Sequence, residues 1–262
     1  MSKPAYTVDD EARTHAQEVG ERARAWRAGR GVDTTGLARL QAWLRYAVVY
    51  HSNALEGGGL TETETRAVLV DGVTVGKPLR DHLWAVNLSV ACERVDVWAN
   101  DPRTGPAPIT EAQLLELNAV LLRGIDELGA GAYRKVSVYL TGASFEPPPP
   151  EAVPSLMHEL CDWMASSHDG DPIVFAAEMH AWFETIHPFV DGNGRAGRLL
   201  VDLALGKRGL IRALVRAEER ERYREALRHA QASSELTPLV RLFADSVGKM
   251  LAEHERASQP RS

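Results

Sequence analysis

Apolar residues along this chain return mostly at intervals of three and four. Leu40, Trp43, Leu44 and Val48 follow that spacing, and so do Phe175, Met179, Trp182, Phe183 and Ile186. Both runs predict helices with one buried face. Capping residues and breakers delimit the rest. A segment at about 9–30, rich in Ala, Glu and Arg, predicts a solvated helix laid on something else. The next helix must stop at Gly57-Gly58-Gly59, because glycine favours a left-handed C-cap. Thr61 with Glu64, and Thr110 with Gln113, have the spacing of capping boxes for two further helices. Pro78 opens a helix to about Ala99, and 101–108, with three prolines, reads as a linker. Helices are predicted at about 153–166, 172–186, 195–207, 218–232 and 238–254. Only Tyr133 to Ser144 has another texture: Val136, Val138 and Leu140 alternate with polar residues and predict a short β-hairpin. Pro147 to Pro150 reads as a stiff extended spacer. The fold class expected is all-α with one short hairpin.

Composition narrows the function. The 262 residues carry a net charge of -6, which argues against a general nucleic-acid footprint while leaving room for a local basic pocket. Cys92 and Cys161 are too few for a disulfide framework or a four-cysteine zinc site and read as reduced buried thiols. The first twenty residues lack the apolar core of a signal peptide, and apolar stretches are broken by charge well short of a membrane span. A soluble cytoplasmic protein without a membrane partner is expected.

Candidate chemistry concentrates in His187-Pro188-Phe189-Val190-Asp191-Gly192-Asn193-Gly194-Arg195-Ala196-Gly197-Arg198. Pro188 disfavours helix past His187. Gly192, Asn193 and Gly194 tolerate unusual backbone angles, so their amides can converge on one spot and feed a helix N-terminus, an anion nest. Arg195 and Arg198, three apart, share a helix face but oppose the helix dipole, an arrangement that suits a multiply charged anion such as a polyphosphate. Asp191 would then repel that anion unless a divalent cation such as Mg2+ stands between them. His187 at the loop entrance can accept a proton from a hydroxyl.

Two decoys fail on context. Gly192-x-Gly194-x-x-Gly197 is a literal dinucleotide fingerprint, but no apolar strand precedes it, and Pro188 does not belong in a central strand. Gly72 to Lys77 lacks the spacing and the Ser or Thr of a phosphate-binding P-loop. Glu184-x-x-His187 is half of a di-iron pattern with no second half, and His180 reads as a structural or surface histidine.

The twelve-residue segment resembles the motif of the Fic family (the Fido fold), His-Pro-Phe-x-x-Gly-Asn-Gly-Arg-x-x-Arg, at every fixed position. The resemblance covers roughly residues 40–250, more weakly outside the motifs. It implies transfer of AMP from ATP to a Ser, Thr or Tyr hydroxyl of a target protein. His187 would be the base and Asp191 the Mg2+ ligand. Gly192, Asn193 and Gly194 would cradle the phosphates, and Arg195 and Arg198 would hold their distal end. The 133–150 segment would be the flap that positions the target. Leu140, Thr141, Gly142 and Ala143, with Tyr223, Arg224 and Gln231, would meet the nucleoside, Arg224 and Gln231 standing where the family has Tyr and Asn.

Ser52-Asn53-Ala54-Leu55-Glu56-Gly57 resembles the family's inhibitory motif. Glu56 would sit in the last turn of its helix, where the dipole disfavours a carboxylate, and Arg198 at a helix start is wrong-signed too; pairing them relieves both. Ser52 lies one turn before Glu56 on the same face. The expected organisation is an N-terminal helical region, 1–100, carrying the inhibitory helix at about 34–57. A catalytic region follows at 105–255, with a disordered tail at 256–262. Removal of AMP, transfer of another phosphate-containing group, or a catalytically silent nucleotide- or partner-binding module are the alternatives. Exposed helical faces leave a homodimer open.

Overall fold

The computed structural model describes residues 3–29, 34–101, 109–139, 145–166 and 170–259. Ten α-helices carry them: α1 (Asp10–Ala28), α2 (Thr34–Leu55), α3 (Glu62–Leu69), α4 (Leu79–Ala99), α5 (Glu111–Leu121), α6 (Val153–Ser166), α7 (Pro172–Ile186), α8 (Asn193–Lys207), α9 (Arg220–Ser233) and α10 (Thr237–Ala257). Local chemistry sets the starts. Thr61 and Thr110 accept from the amides of Glu64 and Gln113, whose side chains reach back, so both predicted capping boxes are formed. Asp171 accepts from the amides of Ile173 and Val174 and starts α7, with Pro172 at its first position.

The middle of the molecule is α7. Thirteen of its fifteen residues are buried, the signature of a helix apolar on all sides. α8 lies against it, and α6, α10, α1 and α9 surround it; α4, α5 and α2 cover the other side of α8. α1 is the expected solvated helix: it lies on α10 through Ala12, Ala16, Val19, Gly20 and Ala23, small residues that let the backbones approach. Ahead of α1 the chain is tied to the α9–α10 turn, where Thr7 accepts from Leu236 N at 2.8 Å and donates its amide to Ser234 O at 2.9 Å. Buried residues from helices before and after residue 100 form one contiguous cluster.

The hairpin is not present among the described residues. Tyr133 to Tyr139 has no paired strand and bends at Lys135 and Val136, and 140–144 lies outside the described residues. Arg134 is buried while Val136 is 56% and Tyr139 83% exposed, so the segment runs along the surface. The C-terminal helix also runs to Ala257, two residues into the predicted tail.

Candidate active site

α7 and α8 are joined by residues 187–192, and each residue of this connection has a specific restraint. His187 ends α7 in the left-handed region, φ 49° and ψ 61°. A non-glycine residue pays of the order of 1–3 kcal/mol for that conformation and needs its surroundings to hold it. The buried Arg134 does so. Its Nε donates to His187 O at 2.8 Å, its amide to Pro188 O at 2.9 Å, and its remaining nitrogens to Val136 O and Pro148 O. Phe189 is fully buried against Tyr133 and Phe183. Asn193 then closes the loop: its Oδ1 accepts from Phe189 N at 2.9 Å and its Nδ2 donates to Phe189 O at 2.8 Å. Gly192, at φ +85°, makes the left-handed step into α8.

The carboxylate of Asp191 is one-third exposed and is met from three sides. It accepts from Gly192 N at 2.6 Å, from Arg195 Nη2 at 3.0 Å and from Arg80 Nη2 at 3.3 Å. Asn118 donates to Asp191 O at 3.1 Å and accepts from Gly131 N, fixing the main chain there. Trp84 lies between the guanidinium groups of Arg80 and Arg195, 4.7 and 4.8 Å from its ring. With Glu56, Ile125, Asp126 and Val190, these residues line a cavity of about 480 Å³.

The first turn of α8 leaves its amides without helical partners. A carboxylate lies against this turn. Gly194 lacks the Cβ that would collide with Glu56 Oε1, so the acid of α2 approaches the α8 backbone directly. Glu56 Oε1 accepts from Arg198 Nη1 at 2.8 Å, while Arg198 also donates to Ser52 Oγ at 2.9 Å and to Ser52 O at 2.8 Å. The pairing inferred from the two wrong-signed helix ends is present. Burial works to raise the Glu56 pKa, but the charges of Arg198, Arg195 and Arg224 win and hold it below the usual carboxylate range.

Charge sets the state of the histidine as well. Burial first, and Arg134 second, push the His187 pKa down to about 4, so the imidazole is neutral near pH 7. A neutral imidazole beside an anion seat can take a proton from a hydroxyl.

A family model described as "Fic/DOC family" matches residues 108–205. The chain belongs to the Fic/DOC family. Among curated proteins, the protein adenylyltransferase Fic of Drosophila virilis is 31% identical over 217 residues, 82% of this chain and 43% of that protein. The protein of the same name from Drosophila melanogaster is also 31% identical, over 82% of this chain and 42% of its own length. The chain thus spans about two fifths of the curated relatives it matches. Among solved structures, Fic-1 from C. elegans has a TM-score of 0.85 at 27% identity, covering 94% of this chain and 72% of that one. A Fic family protein from Desulfovibrio desulfuricans has a TM-score of 0.75 at 26% identity, covering 99% and 78%.

Within this Fic/DOC domain the two motif arginines have separate partners, Arg195 the Asp191 carboxylate and Arg198 the Ser52–Glu56 turn. In this conformation Arg195 and Arg80 flank the Asp191 carboxylate. Tyr223 is buried, its hydroxyl 2.8 Å from His180 Nε2 and 3.4 Å from Arg198 Nη1, so in this conformation it braces Arg198 rather than facing a nucleoside. His180 is accordingly a core residue. Arg224 is exposed on α9 near Glu56, and Gln231 is half-buried two turns on. Leu140, Thr141, Gly142 and Ala143 lie outside the described residues. Sequence reasoning missed Arg80, Trp84, Asn118 and Arg134. Asn118 had a signal, a polar residue within the apolar run Leu114 to Leu122; the other three act across the fold and left none.

Proposed function

We propose that this chain is a protein adenylyltransferase, transferring AMP from ATP to a side-chain hydroxyl of a target protein with release of pyrophosphate, and restrained by Glu56. The observation that carries this reading is the seat of Glu56: a carboxylate lies against the first turn of α8 and pairs with Arg198, in the place a phosphate would take. The curated relatives named protein adenylyltransferase support it.

In this mechanism the hydroxyl oxygen attacks the α-phosphorus, the bond to pyrophosphate breaks, and the hydroxyl proton passes to His187 Nε2. His187 Nδ1 is buried, which leaves Nε2 as the nitrogen that meets the hydroxyl. The amides of Asn193 and Gly194, with Arg195 and Arg198, stabilise the charge that develops on the phosphates. Gly192 shapes the turn, its amide held by Asp191. A divalent ion fits the donor set: Asp191 offers an accessible carboxylate on the cavity wall. Asp191 would hold Mg2+ together with the phosphates, where it would neutralise charge on the leaving group. Arg80 must release Asp191 for that contact.

Glu56 and Ser52 are the restraint, since the phosphates and Glu56 compete for the same guanidinium. Residues 1–100 are assigned as the regulatory helical region, with α2 as its inhibitory helix, and 105–255 as the catalytic region. The free thiols Cys92 and Cys161 support a cytoplasmic protein. No helix among the described residues is long and apolar enough to cross a membrane. The Glu56→Gly protein, incubated in lysate with α- or γ-labelled ATP, should transfer only the α-label to protein. Transfer of γ-label would mean phosphorylation, and neither label would mean a binding module.

A further inference from the structure

Three residues on one face of α7 share an unusual condition. His180, Glu184 and His187, at i, i+4 and i+7, each carry a buried polar atom without a well-formed hydrogen bond: His180 Nδ1, Glu184 Oε1 and His187 Nδ1, with the main-chain carbonyls of Gly197 and Glu184 near the first and the last. Unpartnered buried polar atoms are rare and cost stability. Three within two turns, ending at the base, need an explanation. The opposing wall is bare backbone. A Cβ at Gly197 of α8 would lie 2.6 Å from Glu184 Oε1 and 2.9 Å from His180 Nδ1, so both groups point at the same strip of α8. Tyr223 holds the other nitrogen of His180. The other carboxyl oxygen, Glu184 Oε2, faces His187 Nδ1 at 3.7 Å. That is beyond a hydrogen bond, but a small side-chain rotation closes it, and catalytic contacts commonly tighten only when substrate is present.

We propose that Glu184 is a positioning residue for His187: its carboxyl engages Nδ1 of the imidazole and leaves Nε2 as the acceptor for the incoming hydroxyl. The hydroxyl rests on the adenylyltransferase reading, whereas the grip on the ring does not. The carboxyl also stabilises the imidazolium once Nε2 has taken the proton.

Electrostatics links this contact to the restraint. The charged neighbours of Glu184 are Glu56 and Arg198, with Tyr223 and His180 beside it; those of His187 are Arg134, Glu56 and Asp191. Burial first, and the Glu56 charge second, push Glu184 up to about 8, against Arg198. Burial therefore does most to keep Glu184 protonated near pH 7, and seated Glu56 adds to it. In a Glu56→Gly chain without nucleotide one of those pushes is gone, which favours the carboxylate, the form that best accepts from Nδ1–H.

Nitrogen-15 NMR of histidine-labelled full-length protein tests the proposal without relying on turnover. In the Glu56→Gly chain His187 should be mainly the Nδ1–H tautomer. Adding Glu184→Gln should shift the tautomer ratio severalfold toward Nε2–H and lower the imidazole pKa, with Glu184→Asp in between. The same double variant should lose tenfold or more in kcat with KM for ATP unchanged, and should lose the rise of rate with pH that accompanies Glu184 ionisation. An unchanged tautomer ratio and imidazole pKa in Glu184→Gln would overturn the proposal and assign the ring's support to the main-chain carbonyl of Glu184. If Glu184→Gln does not fold, the spectra of Glu184→Asp decide on the same criterion. A Glu56→Gly protein that transfers no AMP yet shows these spectral shifts would refute the adenylyltransferase reading and leave the positioning role standing.

Discussion

Replacing Glu56 with glycine isolates the restraint, and its size can be worked from the contacts. The lost interaction is one charge-assisted hydrogen bond, Glu56 Oε1 to Arg198 Nη1 at 2.8 Å, of a kind that contributes about 1.5–3 kcal/mol. Arg198 is 11% exposed but Glu56 is 35% exposed, so solvent screens the pair toward the lower figure. Contact with the positive end of α8 adds about 0.5 kcal/mol, and the position of Glu56 beyond the negative end of α2 takes back a similar amount. The net, about 2 kcal/mol, is what a nucleotide must overcome to claim Arg198. Its removal should raise AMP transfer about 30-fold. Arg198 keeps Ser52 and Tyr223, so the fold survives with a melting temperature lower by about 4–8 °C. The assay is the initial rate of α-label incorporation into lysate protein at subsaturating ATP, alongside calorimetric ATP binding. Glu56→Gln, which keeps a weaker hydrogen bond but no charge, should fall between. Equal labelling rates and equal ATP affinity for wild type and Glu56→Gly would refute the competition for Arg198.

Further outcomes follow from other contacts. His187→Ala in the Glu56→Gly background should abolish transfer and leave ATP binding, measured calorimetrically, within about twofold. Asn193→Ala strands the buried amide and carbonyl of Phe189 and should cost about 2–4 kcal/mol in urea denaturation. Arg134→Lys keeps the charge but cannot serve His187 O, Val136 O and Pro148 O together; transfer should drop tenfold or more at nearly constant KM for ATP. For pH, Glu184 is raised to about 8 when folded, so its neutral form favours the fold below the unfolded value of 4.5, and that stability is lost as pH rises through 8. His187, depressed to about 4, acts in the opposite sense, costing stability as pH falls from 6.5 toward 4. Urea midpoints should therefore fall between pH 6.5 and 8 and level off above it in the wild type, and stay level over that range in Glu184→Gln.

The sequence was most informative where structure is local. Both capping boxes and the breaks at Gly57 and Pro188 follow from residues within one turn of each other, and the structure has them. The Glu56–Arg198 pair spans 142 residues, yet was legible because each residue was electrostatically wrong for its own helix end. Arg80, Trp84 and Arg134 broke no local rule, so their placement beside the loop depended on packing that no window of sequence contains. Period-two alternation at Val136 and Val138 misled for a related reason. A strand needs a neighbour for its backbone, and among the described residues the main-chain ties at this point come from the guanidinium and amide of Arg134.

The position of Arg134 couples two tasks that could have been independent. One planar group holds the carbonyl behind the imidazole and, at the same time, the carbonyls of Val136 and Pro148. A displacement of either neighbour would therefore reach the imidazole through a single side chain.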